Sequence, residues 1–143
     1  MIFLDVFIQK QYEIYKSKNK LYGNSVVKSL NKWGNVAFAV RAEDKLCRIK
    51  QLLSNEDFSK DLQVVNDEKI EDTVRDLFNY CAIYRSYLLD ENILDSMSMI
   101  YKEEKNFKKI LFEQYEGDIY LLTPTYLEDE DLYKNILKIL YTL

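Results

Sequence analysis

The chain has 143 residues and a mass of 17.1 kDa, enough for one hydrophobic core and too short to divide readily into two. Apolar residues make up 48% and charged residues 31%, a globular balance that excludes wholesale disorder. Three Gly and one Pro supply too few turns for an all-β sandwich or barrel, and the absence of His removes imidazole catalysis, His-ligated zinc and a His pH switch.

In chain order, Leu4, Phe7, Ile8, Tyr12 and Tyr15 recur near a 3.6-residue period and predict a helix from about Leu4 to Lys20. Gly23 and Asn24 break it. Asn24 or Ser25 caps a short second helix to Trp33, and Gly34-Asn35 ends that one. A third helix follows from about Val36 to Ser54, with Phe38, Ala42, Leu46, Ile49 and Leu53 as its stripe. Residues 55–67 read as a loop. A fourth helix, capped by Asn66 or Asp67, runs to Leu89 on a stripe of Val74, Leu77, Phe78, Cys81, Tyr84 and Leu88.

A fifth helix spans about Ile93 to Lys105 and extends as far as Tyr115 on pattern alone, with Gly117-Asp118 as a stop. Residues 119–122 are short and apolar, an irregular or strand segment with nothing obvious to pair with. Thr125-Tyr126-Leu127-Glu128 fits a capping box for a last helix to the C-terminus. The expected fold is therefore all-α: a single-domain bundle of about five to six helices.

Net charge is −4 with a pI near 5.0, which argues against a polymeric nucleic-acid partner. The charge is unevenly spread. Residues 1–60 carry 11 Lys and Arg against 6 Asp and Glu; residues 61–143 carry 9 against 18. Cys47 and Cys81 both sit inside helical patterns and read as buried reduced thiols. The N-terminal residues lack a basic region and a small-residue cleavage site, and no long uncharged apolar stretch predicts a membrane span. A cytoplasmic protein with no membrane partner is the expectation.

Three constellations carry potential chemistry. Arg41, Asp44, Lys45 and Arg48 stand at i, i+3, i+4 and i+7 on the third helix, one polar face. Glu68, Asp72, Asp76 and Asn79 form a second face on the fourth. Arg forks and Lys point charges suit phosphate, two carboxylates on adjacent turns suit Mg²⁺, and an Asn amide suits a base or ribose edge. Asp76 lies beyond the first turn, so helix-dipole complementation does not account for it. Tyr22-Gly23-Asn24-Ser25 places N–H groups and a hydroxyl at a helix start, where anions bind. Each face is also what an amphipathic helix presents to water.

Taken in series, Tyr22-Gly23-Asn24-Ser25, then Arg41 to Arg48, then Glu71 to Tyr80 resemble a family common in phages and prophages, the nucleotide-modification-associated domain 1 family. Its pattern is a Y-G-[DN]-S turn, an R-x-x-D-K-x-x-R helix and an E-D-T-hydrophobic-x-D-L-x-N-Y helix. The likeness covers about residues 1–90; residues 91–143 form a C-terminal extension outside it. It implies a phage-linked protein in an infected or lysogenic bacterial cell, with a nucleotide or nucleotide-derived ligand. Ligand contacts fall on Tyr22, Ser25, Arg41, Asp44, Lys45, Arg48, Asn79 and Tyr80, and a Mg²⁺ would fall on Asp72 and Asp76. The helical carboxylates also resemble those of all-α nucleotide pyrophosphohydrolases, which hold Mg²⁺ with an ExxE and an ExxD helix. Here Leu46 follows Glu43 and Arg75 follows Asp72 at that spacing, so the pattern is absent.

Three functions follow as expectations. The first is a phage-type protein that holds a phosphorylated nucleotide between a basic and an acidic helix face, sequestering a nucleotide signal of host immunity. The second is a Mg²⁺-dependent nucleotide phosphohydrolase or nucleotide-modifying enzyme. The third is an interaction module that inhibits a host factor through the acidic C-terminal half. Small helical nucleotide-binding proteins often form homo-oligomers.

Overall fold

The structure is a computed structural model that describes residues 5–54, 70–112 and 130–143. Helix α1 (Val6–Tyr22) starts at Asp5, whose carboxylate accepts from the Phe7 N–H at 2.8 Å. It ends at Gly23 (φ +61°), where the Gly N–H donates to the Asn19 carbonyl. Asn24 is also left-handed (φ +60°) and makes no side-chain cap. This corrects the expected capping role: a capping side chain reaches its N–H from extended backbone, and Asn24 is instead the second residue of a left-handed corner.

Helix α2 (Ser25–Trp33) ends at Gly34 (φ +71°), and α3 (Asn35–Ser54) begins on the next residue. A Cβ at Gly34 would meet no atom within 4 Å, so the backbone sign rather than space requires glycine there. Helix α4 (Ile70–Leu89) is the centre of the fold. It touches α1, α2, α3 and the helices that follow, and its buried residues lie on all sides. Helix α5 (Ile93–Lys102) is capped by Asn92, which accepts from the Leu94 N–H at 2.8 Å.

The expected long fifth helix is two. Glu103 takes extended backbone (φ −121°, ψ 97°), and α6 (Glu104–Phe112) starts after it. Met97, Ile100, Phe107 and Leu111 keep helical spacing across this break, which hides it from periodicity. In an unbroken helix position 104 would share that apolar stripe, and it is glutamate. Helix α7 (Glu130–Leu140) closes the bundle. The expected loop at 55–67, the Asn66 or Asp67 cap, Glu68, the Gly117-Asp118 stop, the segment 119–122 and the box at 125–128 lie outside the described residues.

One core joins these helices into an all-α domain. It runs from Phe7 and Ile8 through Leu46, Phe78 and Met97 to Leu140, so the described helices beyond residue 90 share one core with those before it. Phe7 lies edge-on to Phe78 (centroids 5.2 Å apart) and stacks on Tyr101 at 4.8 Å; Phe38 stacks on Tyr84 at 4.1 Å. Among the described residues no helix is long and apolar enough to cross a membrane.

Candidate functional site

The inward stripe of α1 changes character along its length. Phe7 and Ile8 enter the core, Gln11 follows them, and Tyr15, Lys18 and Asn19 come next. The matching face of α4 reads Asp76, Asn79, Tyr80 and Ile83, at i, i+3, i+4 and i+7. Where these polar stretches meet, beside Ser25 and Val26 of α2 and Arg41 of α3, they line an open cleft of about 390 Å³.

Charge in the cleft is unequally compensated. Asp76 accepts from two ammonium groups: Lys18 Nζ at 2.9 Å on Oδ1 and Lys45 Nζ at 3.4 Å on Oδ2. Lys45 is only 12% exposed, whereas Lys18 is 51% exposed. Arg41 donates from Nη2 to the Ser29 hydroxyl at 3.2 Å, and its guanidinium carbon lies 5.8 Å from the Tyr80 ring centroid. Lys45 Nζ lies 6.0 Å from the same centroid. Among the described residues no carboxylate pairs with Arg41. Its remaining donors and its full charge face a cleft rather than a counter-ion.

A buried amide pair lies under this wall. Gln11 is 1% exposed and Asn79 is 6% exposed. Gln11 Nε2 donates to the Arg75 carbonyl at 3.1 Å and to Asn79 Oδ1 at 2.8 Å. Tyr15, also on the wall, keeps its phenol proton beyond the usual range: burial raises its pKa, and the neighbouring Tyr12 raises it further. It is a neutral donor and acceptor near pH 7.

The residues expected from sequence divide into three groups. Ser25, Arg41, Asp76, Asn79 and Tyr80 line the cleft, and Lys45 joins them through Asp76. Asp44, Arg48 and Asp72 do not line it. Asp44 points outward and pairs with Arg48 at 4.0 Å, and Asp72 pairs with Arg75 at 3.3 Å. For Arg48 and Asp72 the reason is axial distance, about 10 Å along α3 from Arg41 and a full turn of about 6 Å from Asp76; Asp44, level with Arg41 and Lys45, is excluded by its angle, since it faces solvent. Sharing a helix face does not mean sharing a site. Tyr22 is the last residue of α1, and its side chain is outside what the structure describes.

Asp72 and Asp76, expected to hold Mg²⁺ together, each face a basic side chain of the protein itself. Among the described residues no group of three or more Cys, Asp and Glu is placed to hold a metal ion. Cys81 is buried as expected, but Cys47 is exposed, because it sits on the outer side of α3 from Leu46 and Ile49. Sequence reasoning missed the contribution of α1: Gln11, Tyr15, Lys18 and Asn19. The available signal was Gln11, a polar residue one turn beyond Phe7 and Ile8 on the inward stripe.

Comparison of the chain with known protein families, with curated proteins and with solved structures finds no match to any of them.

Proposed function

We propose that the cleft between α1, α2, α3 and α4 binds a phosphorylated nucleotide or nucleotide-derived small molecule. The observation that carries this reading is Arg41: a guanidinium without a carboxylate partner among the described residues, on the wall of a cleft it shares with the Tyr80 ring and a buried amide, Asn79. Arg41 and Lys45 meet the anionic end, since a guanidinium fork and an ammonium are the side chains best matched to phosphate. Tyr80 and Tyr15 offer ring faces to a base, and Asn79 its hydrogen bonds. The resemblance of the three motif segments to a phage family associated with nucleotides points the same way, and sequestration of a nucleotide signal is the role that fits a site built to hold a ligand.

Mass spectrometry of small molecules released from the purified protein, followed by calorimetric titration with mono-, di- and cyclic nucleotides, tests the proposal. Micromolar or tighter binding with the ligand recovered unchanged supports it. Absence of binding across the panel overturns it. Release of product in the presence of Mg²⁺ replaces it with the hydrolase reading, which requires Asp76 to leave its lysines.

A further inference from the structure

The Gln11–Asn79 pair gives the proposed nucleotide site a hydrogen-bonding polarity. A backbone carbonyl only accepts, so the end of the Gln11 amide at the Arg75 carbonyl is its NH₂ group. That same NH₂ faces Asn79, so the Asn79 atom it meets is the oxygen. Asn79 cannot turn over without setting two NH₂ groups against each other. Its own Nδ2 has no partner among the described residues, in a side chain 94% removed from solvent by its 6% exposure and lining the cleft. A buried donor left unmade is costly, so a ligand that supplies an acceptor there is strongly preferred.

We infer that Gln11 locks Asn79 as a one-way donor, and that the cleft therefore selects nucleotides whose base presents an exocyclic carbonyl over those presenting an amino group at the equivalent position. The inference rests on the nucleotide reading above. An amino base would place a second donor against Asn79 Nδ2, with neither group satisfied. A carbonyl oxygen has two lone pairs for it. Gln11 acts here as a positioning residue: it lies beneath the wall and touches Asn79 rather than the ligand.

The test uses two nearly isosteric pairs, inosine monophosphate against adenosine monophosphate and uridine monophosphate against cytidine monophosphate, titrated calorimetrically into the full chain. In at least one pair the wild type is expected to favour the carbonyl member by about tenfold or more. In Gln11→Met, Asn79 is free to turn over, and the ratio is expected to collapse to within about threefold. In Asn79→Asp, one oxygen keeps the Gln11 bond and the other faces the cleft as an acceptor, so the preference is expected to invert even if overall affinity falls. These ratios are read on folded protein, checked by circular dichroism, and do not depend on how much stability each change costs. Binding of both members of both pairs within about threefold in the wild type overturns the inference and leaves the nucleotide reading standing. A wild-type preference that persists in Gln11→Met removes the role of Gln11. Failure of all four nucleotides and of the wider panel overturns both.

Discussion

Lys45 of α3 and Asp76 of α4 meet at 3.4 Å beside the cleft, and Lys18 of α1 reaches the other carboxylate oxygen at 2.9 Å. The carboxylate thus occupies the ammonium groups that a phosphate would use. Asp76→Asn removes that competitor and is expected to tighten binding of an anionic nucleotide by about threefold to tenfold, with a steeper loss on adding salt. Titration at two salt concentrations reads both effects. Stability is expected to fall by more than the ~1 kcal/mol typical of a surface pair, because Lys45, only 12% exposed, loses its carboxylate along with the half-exposed Lys18. Weaker binding in Asp76→Asn would instead place the carboxylate, or a metal on it, in contact with the ligand.

Arg41 is the cation on the cleft wall for which the described residues offer no carboxylate. Arg41→Gln is expected to weaken nucleotide binding by about tenfold or more, a loss of roughly 1.5–3 kcal/mol for a charge-assisted contact. Arg41→Lys keeps the charge but not the planar fork, and is expected to recover only part of it. Calorimetry on both variants, with melting temperatures as a folding control, distinguishes a guanidinium contact from a general field effect. Equal affinity in Arg41→Gln and wild type would remove the phosphate subsite from this wall.

Alkaline pH is expected to destabilise the fold. Burial pushes the Cys81 thiol well above its usual 9.0, and burial raises Tyr15 and Tyr101 above 10.0, with smaller contributions from Tyr12 and Asp5 respectively. With folded pKa values raised, the unfolded chain gives up these protons first and binds fewer of them in that window. Their stabilisation is complete below the ordinary values. It is lost as pH rises from about 9 through the folded values. Urea unfolding at pH 7.5, 9 and 10.5 is expected to show falling midpoints above pH 9. A flat profile contradicts the burial of these groups. In the same samples a thiol reagent is expected to modify Cys47 rapidly in the native state and Cys81 only on unfolding.

Phe38 is buried and stacks on Tyr84 at 4.1 Å, which couples α3 to α4 below the cleft. Phe38→Ala is expected to cost about 3–5 kcal/mol, the usual loss for emptying an aromatic site in a core. Chemical denaturation measures it. A cost under about 1 kcal/mol would mean that this seam collapses freely around the vacancy.

The all-α class was legible in the sequence because the apolar stripes of α3 and α4 are long and regular, and the bounds of α2 followed from Gly23, Asn24 and Gly34. The break at Glu103 was not, since apolar residues resume helical spacing on its far side and only Glu104 interrupts the stripe. On the site side, the motifs pointed to Arg41, Lys45, Asp76, Asn79 and Tyr80. They could not exclude Arg48 or Asp72, because a one-dimensional pattern does not say which stretch of a helix meets a neighbour, nor Asp44, because it does not say which edge of a polar face turns to solvent. Tyr15 reads in the sequence only as part of the apolar stripe, and Gln11 belongs to no motif. Their meaning depends on α4, far along the chain, as the Gln11–Asn79 separation of 68 residues shows.

The change from apolar to polar along α1 has a consequence for how the site could be altered. Its selectivity is written as an alignment of two ladders of rungs, one on α1 and one on α4. Sliding α1 by a single turn, about 5.4 Å, would put Tyr15 where Gln11 now stands, erase the donor lock and shift Lys18 and Asn19 along the wall, with no substitution at any cleft position. The rings of Phe7, Phe78 and Tyr101 hold that alignment at the apolar end of the same helix. Substitutions there that preserve stability are therefore a route to new base preference in a protein whose cleft residues are all intact.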